Sequence, residues 1–194
     1  MIERYSRPKM KQIWSDENKY NKWLLVEIAV CEAWTQEGVI PESDMAKLRN
    51  INYDPIRLKE ILDVTKHDMT AFLRSITEKI GPEGKFLHKG MTSSDVLDTC
   101  FNVQLAQAGK IINKDIEEIL KILKIKSLKY KNTICIGRSH GIHAEPTTFG
   151  LKLAGFYEEF KRNKKRLKRA TDEISTCAIS GAVGTFANVD PRVE

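Results

Sequence analysis

The stretch Thr92–Leu123, TSSDVLDTCFNVQLAQAGKIINKDIEEILKIL, decides the fold, because it has the pattern of one long amphipathic helix. Thr92 and Asp95 have the spacing of a capping box, with Asp in place of the usual Glu or Gln, and this pair marks the start of the helix. Apolar side chains then recur at steps of three and four residues, at Leu105, Ala108, Ile112, Ile116, Ile119 and Leu123. So narrow an apolar seam predicts packing against other long helices in a bundle.

The sequence before Thr92 predicts a set of shorter helices. The segment Asn18–Glu37 predicts a helix, because Trp23, Val26, Glu27, Val30 and Trp34 recur in it at helical spacing. A helix opens at Asp54-Pro55 and runs towards Thr65, and another covers Asp68–Ile80. Residues 81–90 form a glycine-punctuated loop.

The sequence after the long helix predicts one extended link and a second long helix. Thr133–Ser139 is rich in β-branched residues and is predicted to be extended. Thr147 to about Ile174 is predicted to be helical, and Ser180–Gly184 is a turn of small residues. We therefore predict an all-α fold. A small N-terminal helical domain occupies residues 1–91, and residues 92–194 contribute the first long helices of a central, incomplete helical bundle.

Composition indicates a soluble globular protein. Apolar residues make up 41% and charged residues 30% of the chain, and no stretch of 18 or more uncharged apolar residues is present. The first residues lack the apolar core of a secretory signal, so we expect a cytoplasmic protein. The four cysteines are widely spaced, without a C-x-x-C pair, and we expect reduced and mostly buried thiols.

The net charge of +6 owes much to a basic run, Lys161–Arg169. Such a run can bind nucleic acid, but no aromatic platform or base-reading motif accompanies it. A solvated helix surface is the simpler interpretation. A basic chain also attracts polyanionic small molecules.

All four histidines, His67, His88, His140 and His143, lie where the helical pattern breaks. Each alone is typical of a surface or capping histidine, but together they suggest a site assembled from the ends of several elements. Thr92 and Ser93 lie at a predicted helix N-terminus, which suits either an anion site or an ordinary N-cap. Asp68 could cap the helix that it opens while the side chain of His67 points elsewhere.

The spacing of His140 and His143 permits metal binding, but no cysteine pair or second histidine pair lies near them in sequence. General acid–base chemistry suits a loop-borne imidazole better, because its ordinary pKa of about 6.5 lies near neutral pH.

Four segments resemble the adenylosuccinate lyase family of the fumarase/aspartase superfamily. Residues 137–150, GRSHGIHAEPTTFG, resemble the second superfamily motif, and residues 88–95, HKGMTSSD, resemble the first. Residues 2–8, IERYSRP, and residues 65–68, TKHD, resemble segments specific to adenylosuccinate lyases. The resemblance continues in order to residues 179–185 and so covers nearly the whole chain.

This resemblance implies an enzyme of purine biosynthesis. Family members eliminate fumarate from adenylosuccinate, giving AMP, and from a succinyl-aminoimidazole-carboxamide ribotide, without a metal or organic cofactor. His140 matches the general acid that protonates the departing nitrogen, and His67 matches a histidine that supports the acid and binds substrate. The remaining matches are substrate contacts: Arg4, Tyr5, Lys66, Asp68, His88, Thr92 and Ser93.

The resemblance also implies what this sequence lacks. The family's third motif, a flexible Ser-Ser-x-Met-Pro-x-Lys-x-Asn loop that carries the catalytic serine base, does not occur here. Family members build each active site from three subunits of a homotetramer. We therefore expect the chain as given to be inactive alone, and we expect neither a nucleic-acid nor a membrane partner.

Three alternatives remain open at this stage. The first is another superfamily lyase of the argininosuccinate lyase or fumarase type, against which the segments at Arg4-Tyr5 and His67-Asp68 argue. The second is a non-catalytic helical scaffold, against which the retention of all four histidines argues. The third is a nucleic-acid-binding module resting on Lys161–Arg169, which a steep salt dependence of binding would reveal.

Overall fold

The computed structural model describes residues 2–194, apart from the side chain of Glu3. Over these residues the chain is mostly helical and has one two-stranded sheet, which confirms the all-α class. The helices are α1 (Pro8–Ile13), α2 (Asp16–Gln36), α3 (Glu42–Leu48), α4 (Pro55–Thr65), α5 (Asp68–Ile80), α6 (Ser93–Lys129) and α7 (Phe149–Ile174). Short 3-10 helices cover Glu3–Tyr5, Pro82–Phe86 and Pro191–Val193, and the strands are β1 (Ile134–Ser139) and β2 (Ile142–Thr148).

The chain forms two compact units. The first comprises the residues up to Gln104 together with Ser175–Glu194, and the second comprises Leu105–Ile174. Helix α6 therefore begins in the first unit and continues into the second. The domain boundary between residues 91 and 92 that the sequence suggests stays a prediction.

The core of the first unit is built around Trp23 of α2 and Phe72 of α5. Their rings meet edge to face with centroids 5.4 Å apart, and both side chains are buried. Tyr20 adds a second edge-to-face contact with Trp23 at 5.0 Å. Edge-to-face pairs add stabilisation beyond the burial of apolar area, so this cluster fixes α2 against α5. The apolar stripe predicted on α2 is confirmed.

The sequence signals for helix ends largely agree with the observed bounds. Asp54 caps α4, because its carboxylate accepts the backbone N–H groups of Ile56 and Arg57. Helix α5 ends at Ile80, and Gly81 follows with a φ of 84°, a conformation that a glycine adopts without steric cost.

In the second unit, the predicted single extended link is half of a β-hairpin. Strands β1 and β2 pair antiparallel, and His140 and Gly141 between them have φ values of 51° and 75°. Positive φ at both central residues is the geometry of a type I′ turn, which suits the right-handed twist of a hairpin. The sequence interpretation missed β2 because Pro146 interrupts its alternation.

The start of the second long helix is also corrected. Helix α7 begins at Phe149 rather than at Thr147, because Thr147 and Thr148 still belong to β2. The hydroxyl of Thr148 accepts the backbone N–H of Leu151, so Thr148 acts as the N-cap.

The apolar seam of α6 packs on α7 within the second unit only in part. Ala108 and Ile116 are buried, whereas Ile112 is 42% exposed. Two close approaches fix the packing. A Cβ on Gly150 would lie 2.5 Å from the carbonyl oxygen of Ser127, and one on Gly109 would lie 2.6 Å from the hydroxyl of Thr171. No described helix is long and apolar enough to cross a membrane.

Candidate functional site

The Lys66-His67-Asp68 junction joins α4 to α5. Lys66 ends α4 in the left-handed conformation, with a φ of 54°, and its backbone N–H donates to the carbonyl of Leu62 at 2.9 Å. A non-glycine residue in this conformation carries some strain, and such residues concentrate at functional sites. The side chains of His67 and Asp68 are 56% and 52% exposed, so both can reach a ligand.

His67, and not Asp68, is the N-cap of α5. Its Nδ1 accepts the backbone N–H of Thr70 at 3.2 Å, whereas the carboxylate of Asp68 accepts the N–H of Met69 at 2.7 Å. The expectation that Asp68 caps the helix is therefore wrong, because Asp68 already lies inside its first turn. With Nδ1 used as an acceptor, the proton of a neutral His67 lies on Nε2, which is then available as a donor.

His88 pairs with a buried carboxylate. It has a φ of 59°, and its backbone N–H donates to Oε2 of Glu27 at 2.7 Å, while its Nδ1 lies 2.7 Å from Oε1 of the same carboxylate. Glu27 is completely buried, and the His88 side chain is 21% exposed. One carboxylate thus contacts both the backbone and the ring of a predicted substrate-binding histidine.

Helix α2 fastens the rest of this loop through the same face. The indole N–H of Trp34 donates to the carbonyl of Lys89 at 3.3 Å, and the thiol of Cys31 lies 3.6 Å from the carbonyl oxygen of Phe86. Burial, and secondarily the nearby Glu27 carboxylate, raises the pKa of the Cys31 thiol to about 12. Cys31 therefore stays a neutral thiol, and the face formed by Glu27, Cys31 and Trp34 fixes the loop that carries His88.

The start of α6 has the predicted capping box. The carboxylate of Asp95 accepts the backbone N–H of Thr92 at 2.9 Å. In a capping box, the side chain of the third helical residue makes this bond to the N-cap residue. Asp95 is buried and also accepts the N–H groups of Ser180 and Gly181, at 3.2 and 3.1 Å. Thr92 and Ser93 are half-buried beside it. The predicted turn of small residues thus lies against the N-terminus of α6.

Arg4 and Tyr5 lie in the first 3-10 helix. The guanidinium carbon of Arg4 is 5.5 Å from the centre of the Tyr5 ring, and Tyr5 is 76% exposed. Such a stacked, solvent-facing pair is suited to contact a flat or anionic ligand.

His140 lies at the tip of the β-hairpin of the second unit. It is exposed, and its left-handed backbone projects it from the turn. His143 lies three residues along, on β2, and is also exposed. An exposed imidazole at a turn is accessible to a ligand.

The predicted site residues therefore divide between the two units. All of the predicted substrate contacts belong to the first unit, whereas His140 belongs to the second. Glu27 is the residue that sequence reasoning missed as a partner of His88. Its signal was present, because a glutamate in an otherwise apolar helical stripe has to be paired when the stripe is buried.

Two further features of the described residues bear on alternative functions. No group of three or more His, Cys, Asp or Glu side chains among them could hold a metal ion. In the basic run, four cations lie within 3.1 Å of carboxylates: Lys161, Lys164, Lys168 and Arg169. Pairing of this kind is typical of a solvated helix surface.

Known proteins resemble this chain in both sequence and fold. Residues 3–194 match the family model described as Lyase. An adenylosuccinate lyase of Bacillus subtilis (strain 168) is 52% identical, and one of Staphylococcus saprophyticus is 50% identical. Both alignments cover 100% of this chain and 45% of the relative. A crystal structure of a fumarate lyase from Mesorhizobium sp. BNC1 superposes with a TM-score of 0.88 at 28% identity, over 97% of this chain and 46% of that one. The chain thus spans less than half the length of the proteins that it matches.

Proposed function

The chain belongs to the lyase family, and on that premise we propose that it forms part of an adenylosuccinate lyase. The proposed enzyme acts in purine biosynthesis. It eliminates fumarate from adenylosuccinate to give AMP, and from the succinyl-aminoimidazole-carboxamide ribotide. The observation that carries this proposal is the identity of 50% or more to two adenylosuccinate lyases over the entire chain.

The proposed reaction is a β-elimination, which needs an acid and a base. A carbon next to a carboxylate loses a proton, and the departing nitrogen gains one, because an amine is otherwise a poor leaving group. We assign the acid to His140, whose exposed position at the hairpin tip suits proton delivery to a ligand. The base is assigned to a serine in a part of the longer enzyme that this sequence does not include.

The other site residues are proposed to bind the anionic substrate. The substrate bears a phosphate and two carboxylates, which suit cationic and N–H donor groups. His67 offers Nε2–H because Thr70 occupies its Nδ1, and so it can both bind substrate and support the acid. The remaining proposed contacts are Arg4, Tyr5, Lys66, Asp68, His88, Thr92 and Ser93.

We further propose that the full-length enzyme is a cytoplasmic homotetramer without metal or organic cofactor, whose active sites combine three subunits. The large exposed apolar side chains of α6, such as Ile122 and Ile125 at 51% and 67%, supply surface for such an assembly.

A substrate panel tests the proposed function. The full-length enzyme is assayed for fumarate release from adenylosuccinate, the succinyl-carboxamide ribotide, argininosuccinate and malate under identical conditions. The proposal predicts turnover of adenylosuccinate and of the succinyl-carboxamide ribotide, with no detectable release from the other two. Preference for argininosuccinate or malate would assign the chain to another branch of the superfamily. Absence of turnover with every substrate would favour a non-catalytic scaffold.

A further inference from the structure

Glu27 is not among the assigned site residues, but it contacts His88, which is one of them. Glu27 lies in the middle of α2, surrounded by apolar core, and it is 0% exposed. A buried ionised carboxylate is costly unless its oxygens are hydrogen-bonded. Both oxygens have partners here, and both partners belong to the same residue, since Oε2 accepts the backbone N–H of His88 and Oε1 contacts Nδ1, each at 2.7 Å.

We propose that Glu27 is a positioning residue that keeps the proton of His88 on Nδ1 and directs Nε2 towards the substrate. The part of this inference that concerns the group contacted by Nε2 rests on the proposed function. The part that concerns the position of the ring proton does not. The other oxygen of this carboxylate already accepts the His88 backbone N–H, and Oε1 offers a second acceptor, so the ring nitrogen that faces it donates. Which nitrogen of a histidine carries the proton is set by the hydrogen bond that the other makes.

The left-handed backbone of His88 is part of the same arrangement. With a φ of 59°, His88 is in a conformation that non-glycine residues seldom adopt, and the bond from its N–H to Glu27 helps to fix it there. The neighbouring bond from Trp34 to the carbonyl of Lys89 fixes the following residue on the same face of α2. The backbone therefore fixes the orientation of the His88 ring, and the Glu27 carboxylate determines which ring nitrogen carries the proton.

The Glu27 carboxylate also prepares His88 for an anionic ligand. When Nε2 takes up a second proton and donates to a phosphate or carboxylate, the resulting imidazolium stays paired with Glu27. In this charged form Nδ1 also carries a proton, and the Nδ1–H group needs the Glu27 carboxylate as its acceptor.

The variant Glu27→Gln separates the two roles of the carboxylate. The backbone N–H of His88 can only donate, so the amide oxygen of the variant faces it and the NH₂ group faces Nδ1. The loop bond survives, whereas Nδ1 has to become an acceptor and the proton moves to Nε2. The NH₂ group cannot accept a hydrogen bond, so a His88 ring that donates from both nitrogens loses its partner at Nδ1. A role limited to fixing the loop would leave this variant unaffected.

The matched control is Glu32→Gln. Glu32 lies on the same helix, but it is on the surface and pairs with Arg49 at 2.9 Å. The substitution removes a carboxylate from α2 without touching His88.

Two measurements test the inference. Nuclear magnetic resonance of isotope-labelled histidine nitrogens in the chain, with His88 identified by its loss in a His88→Asn variant, reports which ring nitrogen is protonated in the neutral form. We expect Nδ1–H in the wild type and Nε2–H in Glu27→Gln. A wild-type ring protonated only on Nε2 overturns the inference, and this arm needs neither activity nor a folded Glu27 variant.

Kinetics of the full-length enzyme form the second arm. We expect Glu27→Gln to raise the KM for adenylosuccinate by about tenfold or more, as for loss of a hydrogen bond to a charged group, with a smaller change in kcat. Glu32→Gln should match the wild type. An unchanged KM in folded Glu27→Gln overturns the inference. A wild-type enzyme that releases no fumarate instead refutes the proposed function, and the resonance arm then still decides the role of Glu27.

Discussion

The carboxylate of Asp95 accepts the backbone N–H of Gly181 at 3.1 Å, across 86 positions of sequence. The same carboxylate accepts the N–H groups of Thr92 and Ser180. A capping residue of α6 thus also anchors the glycine turn that follows α7 in the chain. This contact fixes the N-terminus of α6, where Thr92 and Ser93 are proposed to meet a substrate anion.

Asp95→Ala should destabilise the first unit. The substitution leaves three backbone N–H groups without their acceptor, and we expect the free energy of unfolding to fall by about 2–4 kcal/mol. Asp95→Asn, which keeps one acceptor oxygen, should lose less. Urea denaturation of the chain measures both changes. Asp98→Ala, at an exposed position of the same helix, is the control, and an equal loss in Asp98→Ala and Asp95→Ala would contradict the account.

His67→Asn should separate helix capping from substrate binding. Asparagine is a good N-cap and can replace Nδ1 as the acceptor of the Thr70 N–H, so the melting temperature should stay close to that of the wild type. His67→Ala should cost about 1 kcal/mol in stability, because the cap is lost. If His67 also serves catalysis, both variants of the full-length enzyme lose kcat/KM. Full activity in His67→Asn would mean that His67 is a cap and nothing more.

His140→Asn should abolish turnover without disturbing the hairpin. Asn-Gly is a favoured pair for a type I′ turn, so the variant keeps the two positive φ values of the turn. Loss of a general acid costs about 10²–10⁴ in rate, and nucleotide binding should survive. Steady-state kinetics and a nucleotide-binding titration of the full-length enzyme measure the two effects. His143→Asn is the matched control on the adjacent strand, and a near-normal kcat in His140→Asn would remove His140 from the mechanism.

The 194-residue chain by itself should self-associate and release no fumarate. Exposed apolar side chains of the second unit, among them Ile125, Leu128 and Leu151 at 62–67% exposure, form surface that normally finds partners. The proposed base is missing from this sequence, and removing one member of a catalytic unit costs most of its effect. Sedimentation and a fumarate assay test the two halves. A monomer would refute the first, and fumarate release would refute the second.

The helical fold could be predicted from the sequence because its signals are local. The spacing of Trp23, Val30 and Trp34 predicts α2, and the Thr92–Asp95 pair predicts the start of α6 to within one residue. The hairpin was only half predicted, because Pro146 interrupts the alternation of β2 and the turn depends on the backbone of His140, which side-chain periodicity does not report.

The candidate site could be predicted only as a set of separate segments. Sequence placed His67 and His88 at junctions, but the role of His67 as the cap of α5 depends on the orientation of a ring, which no spacing rule gives. The partnership of His88 with Glu27 joins residues 61 positions apart. Such long-range pairs depend on how the helices pack in three dimensions, and the sequence indicates them only indirectly.

The most direct test of the central claim is product analysis after incubation of the full-length enzyme with adenylosuccinate. The account predicts AMP and fumarate in equal amounts at every time point, because one elimination forms both, and it predicts that His140→Asn forms neither at a measurable rate. Adenylosuccinate that remains intact with the wild-type enzyme, or fumarate formed without AMP, would contradict it.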